Sequence, residues 1–120
     1  MEETNVDWRL YVMYFFIILF VLFSNMSHGQ ITATQFNAEW NKANGVDWFM
    51  SLKECKSMGL VDIAKQPEMA TKHKIAVIPT IIIFKDGEEV ARFQADLSFK
   101  MVATKEEVQE EIDNLIMSDF

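Results

Sequence analysis

Residues 77–87 read Val-Ile-Pro-Thr-Ile-Ile-Ile-Phe-Lys-Asp-Gly, and this stretch limits the possible folds more than any other in the chain. Ile81, Ile82, Ile83 and Phe84 form an unbroken apolar run, mostly β-branched, bounded by Pro79 before it and Asp86-Gly87 after it. Such a run reads as a strand covered on both faces, which puts it inside a sheet. Asp-Gly supplies the positive φ angles of a tight hairpin, so residues 88–93 are expected to return antiparallel beside it. Pro79 stands at the start of the strand, where its missing N–H does least harm and where a cis peptide bond is often found.

Other elements follow from local chemistry. Residues 30–38 alternate loosely and predict a first strand, and residues 58–63 predict a second, parallel to it. Gln66-Pro67-Glu68 opens a helix running to about His73, with proline in its first turn. Thr104-Lys105-Glu106-Glu107 is a capping box. Val108, Ile112, Leu115 and Ile116 then recur at helical spacing and predict a final helix with one buried stripe.

Two motifs carry a family resemblance: Ile78-Pro79-Thr80 running into a hydrophobic strand with Lys-Asp-Gly, and Phe36-Asn37-Ala38-Glu39-Trp40-Asn41-Lys42-Ala43-Asn44. Together they resemble the thioredoxin family, in which a strand ends in Phe-x-Ala-x-Trp-Cys-x-x-Cys and a cis-proline packs beside the redox site. The resemblance implies an α/β, thioredoxin-like fold, a minimal βαβαββα with a four-stranded mixed sheet and helices on both faces, preceded by an N-terminal hydrophobic helix. It places Asn41 and Asn44 where the two cysteines would stand, Gln35 where many members bury an acid, and Leu60 where a lysine often lies. A carboxamide neither attacks a disulfide nor resolves a mixed one, so no catalytic residue is expected and Asn41 and Asn44 are vestigial redox positions. Asn41 retains a use as a helix N-cap, and residues 44–52 are expected as the first helix of the domain. A competing alignment makes residues 34–43 a helix instead.

The resemblance also implies a binding surface, made of Trp40, Asn41, Ile78, Pro79 and Thr80, that holds an extended peptide by backbone pairing. Trp40 is either an anchor for a partner or a core residue. Cys55 is the single cysteine, so no intramolecular disulfide forms; it reads as a free thiol in the role of a small buried hydrophobe, with an atypical oxidoreductase using it and a partner's thiol as the rival function. His73 has no nucleophile or carboxylate at a telling spacing. No metal and no cofactor are expected. The formal charge of −7, with no basic stripe, excludes a nucleic-acid surface.

The first 29 residues divide from the rest, so the domain is assigned to 30–120. Residues 10–23, from Leu10 to Phe23, are continuously apolar and aromatic. They are flanked by the polar start and by Ser27-His28-Gly29, the three-part layout of an export signal with a candidate cleavage point at Gly29/Gln30. A retained membrane anchor is the rival reading, with Trp8, Tyr11 and Tyr14 at an interface. No Lys or Arg falls between Arg9 and Lys42, so either reading puts the domain outside the cytoplasm, in a periplasm or cell envelope. The function expected is that of an exported or anchored, redox-inactive binding module for protein or peptide, with a structural subunit of an envelope complex as a further alternative.

Overall fold

The computed structural model describes residues 8–26 and 29–118, with side chains described for 8–17 and 29–118. Part of the export-signal reading rests on residues 1–7 and Ser27, which lie outside the described residues. Helix α1, Trp8–Met26, comes first. The sheet and its helices follow as β1 Ile31–Asn37, β2 Ser57–Asp62, α2 Pro67–Lys72, β3 Thr80–Lys85, β4 Glu88–Gln94 and α3 Lys105–Met117.

The four strands lie in the order β2-β1-β3-β4. β1 runs parallel to β2 and antiparallel to β3, and β3 pairs antiparallel with β4, so the sheet is mixed and β3 is interior. Ile81, Ile82 and Ile83 are fully buried, which is what a strand covered on both faces requires. At the hairpin Asp86 and Gly87 adopt φ of 52° and 88°. That is the pair of positive angles a two-residue turn needs, and Asp at the first of them is well tolerated. The Asp86 carboxylate also accepts from the Gly29 and Gln30 N–H groups, tying the start of the domain to the hairpin.

The two faces are covered by different helices. Odd-numbered Ile31, Ala33, Ile81 and Ile83 pack with Val108 and Ile112 of α3. The capping box is complete: Glu107 N–H donates to the Thr104 hydroxyl and Thr104 N–H to the Glu107 carboxylate. On the opposite face the imidazole of His73, at the C-terminal end of α2, sits between the rings of Phe36 and Phe84 at centroid distances of 5.3 and 5.5 Å. Arg92 of β4 fixes this end of α2 by donating to the carbonyls of His73 and Lys74 while pairing in bidentate fashion with Glu89.

Two expectations need correction. Residues 44–52 do not form an α-helix; the segment between β1 and β2 holds two 3-10 turns, Glu39–Asn44 and Phe49–Ser51. Gly45 leaves helical geometry at ψ 152°, and the buried Gln35 carboxamide accepts from Val46 N–H at 3.0 Å, holding the backbone in a path an α-helix would not take. The competing helix over 34–43 fails as well, because β1 extends to Asn37. At the N-terminus, among the described residues, no helix is long and apolar enough to cross a membrane. At 1.5 Å per residue, the 14 residues from Leu10 to Phe23 make about 21 Å of helix against a hydrocarbon core of about 30 Å.

Candidate functional site

The site lies past the C-terminal end of β1. Asn37 ends the strand, Ala38 is extended, and the 3-10 turn Glu39–Asn44 carries Trp40, Asn41 and Asn44. Asn41 is not a cap. It lies inside the turn at a kink with φ −107° and ψ 17°, and the residue at the N-cap position is Ala38, which offers no side-chain bond.

Asn41 is 4 % exposed and is the hub of a carboxamide chain. Its Nδ2 donates to Asn37 Oδ1 at 3.1 Å and to the Phe99 carbonyl at 3.4 Å, and its Oδ1 accepts from Asn44 Nδ2 at 2.9 Å. Asn37 Nδ2 in turn donates to the Asn41 carbonyl at 3.4 Å. Donor and acceptor sides of the Asn41 side chain are thus both used. Where a thiol pair would exchange electrons, the chain has a closed hydrogen-bond network with no nucleophile in it.

Above the network Trp40 is 65 % exposed and meets Phe99 edge to face at 5.2 Å. Phe99 comes from the loop after β4, and a phenylalanine at φ 64° is unusual because its Cβ crowds the backbone there. The loop is shaped by Asp96, whose Oδ1 accepts from Ser98 N–H, Ser98 Oγ and Lys100 N–H, and it closes on an antiparallel bridge between Ala95 and Met101. Those bonds, led by the Ser98 hydroxyl and the Lys100 N–H, hold the Asp96 carboxyl below its ordinary range. An Asx-type turn replaces the glycine such a loop would otherwise use.

The peptide bond between Ile78 and Pro79 is cis. Ile78 is 3 % exposed, Pro79 and Thr80 are fully buried, and the Thr80 hydroxyl donates to the Val77 carbonyl at 2.6 Å. Of the five residues singled out for binding, the structure therefore presents only the Trp40 side chain to solvent; Asn41, Ile78, Pro79 and Thr80 lie beneath the surface. Among the described residues the Ile78 N–H and C=O have no hydrogen-bond partner. Phe99 was not anticipated from the sequence, since its place opposite Trp40 depends on a contact 59 positions away along the chain.

Cys55 lies elsewhere. Lys56 N–H donates to the Ile31 carbonyl, so Cys55 sits by the start of β1, and the seven-residue strand, about 20 Å long, separates it from Asn41. It is half-buried against the main core, and burial, followed by the neighbouring Glu54 carboxylate, pushes its thiol pKa up. A raised pKa lowers the thiolate fraction that any exchange reaction needs. Among the described residues no group of three His, Cys, Asp or Glu side chains is placed to hold a metal.

The thioredoxin family model matches residues 34–107, a span that runs from β1 through the first turn of α3. The chain belongs to the thioredoxin family. It is 40 % identical over 52 residues to the chloroplastic thioredoxin Y1 of Arabidopsis thaliana, an overlap of 43 % of this chain and 30 % of that protein. The chain thus spans about a third of the length of the curated relatives it matches. Among solved structures it is similar to reduced thioredoxin pre-protein of Schistosoma mansoni, at 25 % identity and TM-score 0.57 over 82 % of this chain and 90 % of that one. Fasciola hepatica thioredoxin aligns at 24 % identity and TM-score 0.53 over 75 % and 85 % of the two chains.

Proposed function

We propose that this thioredoxin-family protein binds a partner protein or extended peptide and does not exchange disulfides. The observation that carries the reading is the exposed Trp40–Phe99 pair, joined to the carboxamides of Asn37, Asn41 and Asn44 through the Phe99 carbonyl that accepts from Asn41. An exposed tryptophan held by an aromatic neighbour is the kind of rigid anchor that dominates binding surfaces. Ile78 beside cis-Pro79 supplies backbone groups free for strand pairing, although at 3 % exposure they become available only when the residues covering them yield. Carboxymethylated insulin B chain, an extended and thiol-blocked peptide, is a suitable probe. In titrations followed by NMR, the Trp40 indole N–H and the Phe99 amide are expected to shift, and Trp40→Ala to remove the shift. No perturbation at either residue would sink the binding surface.

The same proposal places the domain outside the cytoplasm as an exported protein. What supports this is the absence of Lys and Arg from residues 10–41 and the exposure of the apolar side chains from Trp8 to Ile17. Fractionation of the native host followed by the intact mass tests it: recovery in the cytosol with an unprocessed N-terminus would count against export.

A further inference from the structure

The path of the chain between β1 and β2 leaves part of the sheet uncovered. Ala33 and Gln35 of β1 stand beside Met58 and Leu60 of β2 in register, so all four share the face that packs on α3. Met58 packs against the main core, whereas Leu60, two residues further along the strand, is 66 % exposed. The 3-10 turns Glu39–Asn44 and Phe49–Ser51 do not cover it. What remains is an open-sided cleft of about 460 Å³ between the end of β2 and the backbone around Gly45 and Val46, a size within the range of small-molecule sites.

Gln35 lines this cleft and is only 6 % exposed. Its Oε1 accepts from Val46 N–H, and because a backbone N–H can only donate, that bond fixes which end of the carboxamide is oxygen. The Nε2 group, with two N–H donors, has no partner among the described residues. Among those residues no side-chain nitrogen or oxygen cut off from solvent lacks a hydrogen bond, so Nε2 opens into the cleft. The neighbouring Asn37 differs, since its Oδ1 and Nδ2 are both engaged with Asn41. Gln35 is therefore a nearly buried donor with unused capacity, which an acceptor on a ligand would satisfy.

The rest of the lining selects the kind of acceptor. Leu60 and Val46 give an apolar wall that suits an aliphatic body. Glu39, Asp47 and Asp62 outnumber Lys42 along the cleft, so an anionic acceptor such as a carboxylate or phosphate is disfavoured against a neutral one. The Asp62 carboxylate is folded onto Ala64 and Lys65 N–H. Glu39 and Asp47 add acceptors, which the N–H of an amide matches and an ester or ketone does not. We infer that this cleft binds a small aliphatic amide, its carbonyl oxygen accepting from Gln35 Nε2 and its alkyl group lying against Leu60 and Val46.

The test is an NMR titration of the isotope-labelled full chain, held in nonionic detergent that shields the apolar side chains of α1. Three ligands share one alkyl body and differ in the head group: isovaleramide, isovalerate and isoamylammonium. Isovaleramide is expected to move the Gln35 side-chain N–H pair and the Leu60 amide saturably, with a dissociation constant in the millimolar range that suits about seven non-hydrogen atoms. The anion and the cation are expected to bind at least about tenfold more weakly. Gln35→Leu removes the donor and is expected to abolish the preference for the amide. Leu60→Ser changes only an exposed side chain and leaves the Gln35–Val46 bond in place. It is expected to weaken isovaleramide at least about threefold, with near-ultraviolet circular dichroism unchanged. No saturable shift at Gln35 in the wild-type chain, equal affinity for the three ligands, a preference that survives Gln35→Leu, or a Leu60→Ser chain that binds like wild type would overturn the proposal. The comparison of the three ligands on the wild-type chain stands whether or not either variant folds.

Discussion

Asn41 explains at the residue scale why the site is stable without sulfur. Replacing it with alanine leaves Asn37 Oδ1, Asn44 Nδ2 and the Phe99 carbonyl short of a partner in a partly buried place. Asn41→Ala is expected to cost about 1–3 kcal/mol in urea unfolding and to loosen the Phe99 loop, seen as faster amide exchange at residues 96–100. Gln35 has a parallel role through Val46, and Gln35→Leu is expected to cost about 1–2 kcal/mol by the same measurement. Asn41 and Asn44 were legible in the sequence, because their chemistry is a property of the residue type. Their network was not: it joins Asn41 to a carbonyl 58 positions away.

Elements whose signals are local were legible for a physical reason. The Asp86-Gly87 hairpin and the Thr104/Glu107 capping box each rest on bonds within a few residues, and both are present in the structure. Residues 44–52 suggest an α-helix through the mixed apolar face of Val46, Phe49, Met50 and Leu52, whereas the path of this segment is set by Gln35, a residue of β1. This difference has a chemical consequence. A thiol at the start of an α-helix is acidified by the helix N-terminus, and a 3-10 turn of six residues supplies little of that field. Asn41→Cys combined with Asn44→Cys is therefore expected to form a disulfide yet to keep thiol pKa values near the ordinary range of about 8.5, measured by thiolate absorbance against pH. A thiol titrating near neutrality would contradict the role given to the turn.

Across the whole molecule, stability has a component tied to His73. Burial between Phe36 and Phe84 is the first cause lowering its pKa, with Lys72 and Arg92 adding to the effect and Glu89 opposing it. Because the folded pKa lies below the unfolded value of about 6.5, the folded state resists protonation. The stabilising contribution is complete above the unfolded value and is lost as pH falls through the folded one. Thermal unfolding followed from pH 7.5 downwards is expected to show a decline that His73→Phe reduces, and an identical decline in that variant would assign it to other groups. The interior position and burial of β3 could be anticipated from residues 77–87, since a β-branched run covered on both faces has few other places to lie. The Trp40–Phe99 rim could not, because it is assembled from two loops that meet only in the folded chain.

The central claim, a thioredoxin fold whose site binds without exchanging disulfides, is tested most directly by insulin reduction with dithiothreitol in the presence of the full chain. The account predicts the uncatalysed rate, unchanged by Cys55→Ser. Acceleration by the wild-type chain that disappears in Cys55→Ser would contradict it.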